Sequence, residues 1–211
     1  MNARTQSLRI DGPAGPIECA LDAPDLEDGA RSRGLAVVCH PHPQHGGTLD
    51  NKVVQTLSRA FVQLGYRALR FNFRGVGASA GTWADGPGEV DDAVAVVAAL
   101  RERDEALVLA GFSFGAYVAS QAASRLARAD PASAAQRLVL VGAAAGRFDV
   151  AEVPKGTLVI HGESDDVVPL LAVFDWARPQ SLPVTVIPGA GHFFHGQLTL
   201  LKSLVIGAWR A

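Results

Sequence analysis

Gly111-Phe112-Ser113-Phe114-Gly115 stands between an apolar run, residues 106–110, and a helix-like stretch that opens Ala116-Tyr117-Val118-Ala119. A serine in a Gly-x-Ser-x-Gly at a strand-to-helix turn is held with its hydroxyl clear of the sheet, where it can act as a nucleophile. The flanking glycines let strand and helix approach closely around it. The pattern occurs twice, since Gly77-Ala78-Ser79-Ala80-Gly81 also follows a strand-like segment, residues 66–73. This second copy runs into Thr82-Trp83-Ala84-Asp85-Gly86-Pro87-Gly88, turn chemistry in which no helix starts at the serine. Setting therefore selects Ser113 and leaves Ser79 as a loop residue. By itself Ser113 is also compatible with a plain helix N-cap. A serine hydroxyl is nearly inert at neutral pH, so nucleophilic chemistry requires a base and an acid that orients it.

Both stand downstream, each just past a predicted strand. The run 157–160 delivers His161-Gly162-Glu163-Ser164-Asp165-Asp166, and the run 184–187 delivers Pro188-Gly189-Ala190-Gly191-His192-Phe193-Phe194. In parallel α/β sheets the carboxyl ends of the strands open into the ligand crevice. His192 is the candidate base; His195 is its rival, but it falls where a helix should be starting. The acid is Asp165 or Asp166. An oxyanion hole needs backbone N–H groups aimed at the developing charge, one from the residue after the nucleophile and one from the loop after the third strand. Phe114 supplies the first. In His40-Pro41-His42-Pro43-Gln44 the prolines have no N–H, so His42 and Gln44 are the donors for the second.

The order Ser113, Asp165, His192 is the α/β-hydrolase order. The chain resembles that superfamily over nearly its whole length, most of all small bacterial hydrolases without a large lid, of the serine esterase and dienelactone-hydrolase type. Four segments carry the resemblance: Cys39-His40-Pro41-His42-Pro43 with Gly46-Gly47-Thr48-Leu49-Asp50-Asn51-Lys52, then Phe71-Asn72-Phe73-Arg74-Gly75-Val76-Gly77-Ala78-Ser79, the Ser113 turn, and the acid and histidine loops. It implies Asp165 as the acid, four residues after the histidine of His-Gly-x-x-Asp, and leaves Asp166 as a turn residue. It also implies His42 as the second oxyanion donor. The expected activity is cofactor-independent cleavage of an ester, thioester or related acyl bond of a small-molecule substrate. The alternatives are a non-catalytic ligand-binding protein of the same fold, and an acyltransferase or perhydrolase using the same three residues.

Other clusters read more plainly. His40, His42 and His45 lack the cysteine or carboxylate partners of a zinc site and are crossed by two prolines, so no metal is expected. His40 and His161 read as hydrogen-bonding residues at strand ends. The glycines from Gly75 to Gly81 miss the dinucleotide spacing by one residue and open no helix. Trp83, Phe112, Phe148 and Phe193 are expected in loops near the rim, as candidates to line an acyl pocket, with ordinary packing the alternative for any one of them.

These groups must be positioned by a frame, and the pattern supplies one. Strands are predicted around residues 8–10 and 17–21, then at 35–39, 66–73, 106–110, 137–141, 157–160 and 184–187. Helices are predicted at 51–64, 89–101, 116–129 and 196–210. Repeated βα units imply a mostly parallel sheet with helices on both faces, a three-layer sandwich. Only residues 142–156 separate two of the strands, too few for the lid often inserted there, so an open site is expected.

With 211 residues and 48% hydrophobic content, the chain suits a single domain over 1–211. A net charge of -2 supplies no basic stripe for nucleic acid or a membrane surface. Cys19 and Cys39 form no metal or redox spacing and read as small buried hydrophobes. Residues 23–34 read as a surface loop. The N-terminus shows no secretory signal and no apolar run has membrane-spanning length, so a soluble cytoplasmic protein is expected. Oligomeric state is left open, a homodimer included.

Overall fold

The structure is a computed structural model that describes residues 5–27 and 30–209. Among the described residues eight strands and five α-helices follow in chain order: β1 (Thr5–Gly12), β2 (Gly15–Asp22), β3 (Leu35–Cys39), α1 (Lys52–Gln63), β4 (Arg67–Phe71), α2 (Pro87–Leu100), β5 (Leu107–Phe112), α3 (Phe114–Ala129), β6 (Arg137–Val141), β7 (Leu158–Gly162), α4 (Leu170–Ala177), β8 (Val184–Ile187) and α5 (Leu198–Gly207). They build one sheet in the order β1-β2-β4-β3-β5-β6-β7-β8. The pairs β1/β2 and β2/β4 are antiparallel, and from β4 to β8 every pair is parallel.

The central strands are apolar throughout because both faces are covered. In β3 alternate residues diverge with the two-residue period of a strand. Val37 joins a core with Val96 of α2, Val118 of α3 and Val173 of α4, while Val38 joins Leu57 and Phe61 of α1 and Leu201 and Val205 of α5. Helix α1 begins where Asn51 Oδ1 accepts from Val53 N and Val54 N at 2.9 and 3.4 Å. Helix α2 starts two residues before the predicted Glu89, because Pro87 suits a first turn and the buried Glu89 carboxylate reaches back to accept from Ala84 N and Gly86 N.

The chain goes from β3 to β4 on one side and to β5 on the other, so β3 and β5 flank the point where the winding reverses, the place where ligands bind in such sheets. Their register pairs Cys39 with Gly111, which sets the loop after β3 beside the Ser113 turn. Two predicted boundaries shift at this turn. Strand β5 runs to Phe112 rather than Ala110, and α3 begins at Phe114 rather than Ala116, so a single residue separates strand from helix. Helix α4 was not predicted, because at eight residues it is too short to display a period. The predicted last helix ends at Gly207, and Arg210 lies outside the described residues, as do Asp28 and Gly29 of the predicted 23–34 loop. Residues 142–157 contain no helix, so no lid covers this edge. Among the described residues no helix is long and apolar enough to cross a membrane.

Candidate active site

Ser113 is the pivot between β5 and α3, at φ 58° and ψ -119°. A left-handed backbone costs a serine about 1–3 kcal/mol and persists where the surroundings enforce it. Here the enforcement is contact between backbones. A Cβ on Gly111 would collide with the carbonyl of Gly115, and one on Gly115 with the carbonyls of Cys39 and His40.

His192, in the loop after β8, lies with Nε2 3.0 Å from Ser113 Oγ and Nδ1 2.7 Å from Asp165 Oδ2. An ionised carboxylate only accepts. The proton of the neutral ring therefore sits on Nδ1, and Nε2 is free to take the hydroxyl proton. Asp165 is itself tied down, since its Oδ1 accepts from Val167 N at 2.9 Å and Val168 N at 2.7 Å. Burial alone would raise its pKa, but the bonds from His192 and Val168 outweigh burial and hold the carboxyl below its usual range. The turn role expected of Asp166 thus belongs to Asp165, and Asp166 is exposed. The acid and histidine loops are also fastened to each other. Ser164 N donates to Ala190 O at 2.9 Å, Gly189 N donates to Glu163 Oε2 at 2.9 Å, and a Cβ on Gly162 would collide with Ala190 O.

The donors available to an oxyanion hole follow from where each N–H of the loop after β3 points. Gln44 N donates to His42 Nδ1, His45 N and Gly47 N donate to His42 O, and Gly46 N donates to Pro43 O. Pro41 and Pro43 have no N–H. Between residues 41 and 47 this leaves the His42 N–H without an acceptor among the described residues. Phe114 N, at the first position of α3, likewise has no acceptor within the helix.

The remaining predicted residues separate into two groups. The His42 ring lies 4.6 Å from Trp83, 5.2 Å from Phe114 and 5.8 Å from Phe148, an aromatic wall beside the loop after β3 in which Phe114 is fully buried and the other three rings are half-buried. Trp83 is steadied by its Nε1–H, which donates to Asp85 Oδ1 at 2.8 Å. Phe193 is exposed, next to His192. Phe112 departs from its expected place. It lies on β5 rather than in a rim loop and is fully buried, its ring 4.9 Å from the His192 ring that it backs. Strand β5 extends through Gly111, so the side chain of Phe112 is drawn into the core.

His195 is exposed and stacks on Phe193. Ser79 is a loop residue with a structural task, its Oγ accepting from Glu18 N at 2.9 Å and donating to Asn72 O at 2.7 Å. His161, next to last in β7, is fully buried, with Nε2 2.9 Å from Val168 O and 3.4 Å from Asp165 Oδ2. Cys19 and Cys39 are buried, and burial pushes the Cys19 thiol up to about 12. The sequence reading missed Asn72 and Glu18, which hold the site's loops from behind. Asn72 Oδ1 accepts from Leu49 N at 2.8 Å, and Asn72 Nδ2 donates to Glu18 Oε2 at 2.7 Å. No local spacing signals a contact between residues 54 positions apart.

The family model described as "Serine aminopeptidase, S33" matches residues 30–152. An uncharacterized protein of Rickettsia prowazekii is 34% identical over 207 residues, covering 89% of this chain and 81% of its own. Among solved structures, a lidless α/β serine hydrolase from Xanthomonas campestris is 40% identical with a TM-score of 0.87, covering 100% of this chain and 95% of its own. An α/β serine hydrolase homologue from Coxiella burnetii is 36% identical with a TM-score of 0.80, covering 96% of each chain.

Proposed function

The chain belongs to the α/β-hydrolase superfamily, in the family described as serine aminopeptidase, S33, and on that premise we propose that it cleaves a carboxylic ester or thioester through Ser113, His192 and Asp165. The observation that carries this reading is the unbroken relay from Ser113 Oγ to His192 Nε2 at 3.0 Å and from His192 Nδ1 to Asp165 Oδ2 at 2.7 Å.

Ser113 Oγ attacks the acyl carbonyl carbon while its proton passes to His192 Nε2. The carbonyl oxygen becomes an oxyanion, stabilised by the N–H groups of His42 and Phe114. Collapse expels the alcohol or thiol, which takes the proton from His192. Water then attacks the acyl-enzyme, giving its proton to His192, and the carboxylic acid leaves as Ser113 recovers that proton. Asp165 stays ionised, holding the ring and stabilising the imidazolium formed in each half. No step calls for a metal or cofactor. Trp83, Phe148 and Phe193 are proposed to line the acyl pocket, while Phe112 acts from behind by packing on His192. The absence of a lid over residues 142–157 favours small or flexible acyl groups.

The test is labelling by a fluorophosphonate probe, together with turnover across ester and thioester panels. Wild type and Ser79→Ala should label, and Ser113→Ala should not, with its kcat lower by about 10⁶-fold. Labelling of Ser113→Ala, or ligand-induced stabilisation of the wild type without turnover of any acyl substrate, would overturn the reading.

A further inference from the structure

The reaction scheme leaves His40 without a task, although its side chain is fully buried at the carboxyl end of β3 and both ring nitrogens are engaged. Nε2 lies 3.1 Å from Phe73 N, just past β4, and Nδ1 lies 2.6 Å from Pro41 O. A backbone N–H can only donate, so Nε2 is the bare nitrogen. A carbonyl can only accept, so Nδ1 carries the proton. These partners admit one tautomer of a neutral ring. Burial acts in the same direction, lowering the pKa of His40 to about 4.

The Pro41 carbonyl and the His42 N–H are two ends of one planar peptide and point in opposite directions. A ring that holds the carbonyl therefore also holds the N–H. Gly47 packs against the same peptide so closely that a Cβ there would collide with the Pro41 carbonyl. A half-turn of this peptide would break the His40 bond and present an electron-rich carbonyl where a donor had stood.

We propose that His40 is a positioning residue, whose Nδ1–H fixes the Pro41–His42 peptide against the end of β4 and so aims the His42 N–H into the oxyanion hole. The proposal rests on the reading of His42 as an oxyanion donor.

Two variants divide the ring's functions. In His40→Asn the amide nitrogen takes the place of Nδ1 and still donates to Pro41 O. In His40→Gln the side chain reaches the place of Nε2 and keeps only the acceptor for Phe73. The readouts are kcat and KM on an ester turned over by wild type, and the affinity of an aryl trifluoromethyl ketone, which forms an oxyanion only when Ser113 adds to it. His40→Gln should lower kcat about 100-fold with KM little changed, the cost of a lost oxyanion donor, and ketone affinity should fall in step. His40→Asn should recover most of both. Loss of activity in His40→Gln with ketone affinity intact, or equal damage in His40→Asn, overturns the proposal in favour of a packing role.

Should neither variant fold, ¹⁵N NMR of wild type decides. A proton on His40 Nδ1 and a shift of the His42 amide on adding the ketone are expected; a proton on Nε2 or an unmoved His42 amide overturns the proposal. Wild type that neither turns over esters nor binds the ketone refutes the underlying reading of the site, and His40's role falls with it. That outcome needs no variant, so the two failures are told apart.

Discussion

Asp165 and Asp166 are chemically identical neighbours, and their surroundings alone distinguish them. Asp165 is buried, with one oxygen on His192 and the other on two backbone N–H groups, while Asp166 faces solvent. Asp165→Asn should therefore lower kcat about 10⁴-fold by favouring the wrong His192 tautomer, and Asp166→Asn should leave kcat essentially unaltered. Steady-state kinetics on both variants checks this; an Asp166→Asn loss as large as that of Asp165→Asn refutes the assignment. His40 makes a second prediction. Its pKa in the folded protein is about 4, below the unfolded value near 6.5, so between those values the unfolded chain binds a proton that the native ring refuses. Stability contributed by this group is complete above about pH 6.5 and declines as pH falls towards 4, by up to about 3 kcal/mol. Urea unfolding at pH 7, 5.5 and 4.5 should show a shallower acid decline in His40→Asn than in wild type. Identical slopes would mean that His40 is not the group responsible. Asp165 adds to the decline at lower pH, because a carboxyl held below its usual range loses its contribution as pH falls through its folded-state value.

Among elements, the junction of β3, β5 and α3 does most to shape the site. Gly111 and Gly115 are the points where backbone meets backbone, and the left-handed Ser113 lies between them. Gly115→Ala should cost about 3 kcal/mol or more by overpacking against Cys39 and His40, and should lower fluorophosphonate reactivity even where the protein folds. Gly207→Ala, at the end of α5 with no atom near its built Cβ, is the control and should be neutral or stabilising by up to about 1 kcal/mol, as helix propensity dictates. Thermal unfolding of both variants checks the pair, and a tolerated Gly115→Ala would show that the close approach is not needed. The loops after β7 and β8 depend on each other in the same way, through Ser164, Glu163 and Gly162. Such contacts join segments more than twenty residues apart. Local propensity therefore located the strands but not the clamp between their loops.

At the scale of the whole molecule, the parallel sheet gathers the loop after β3, Ser113, Asp165 and His192 at one edge, and the short 142–157 connection leaves that edge uncovered. Many enzymes gate access by a lid whose opening limits the rate. With no such element over this site, hydrolysis of a poorly soluble ester should rise smoothly through the concentration at which the ester forms micelles. A sharp increase at that concentration, seen in initial rates across it, would require a moving cover.

By itself the amino-acid sequence determined the alternation of strands and helices, the strand-turn-helix setting that distinguishes Ser113 from Ser79, and the order of Ser113, Asp165 and His192 along the chain. These are local properties: hydrophobic period, the setting of a turn, and distance along the chain. Tertiary structure alone decided the rest. It separated Asp165 from Asp166 by burial, left the His42 N–H without an acceptor among the described residues while that of Gln44 is taken up, drew Phe112 into the core behind His192, and set His40 against Phe73. Each of these depends on which groups meet across the sheet and which are cut off from water, and those relations exist only once distant segments pack.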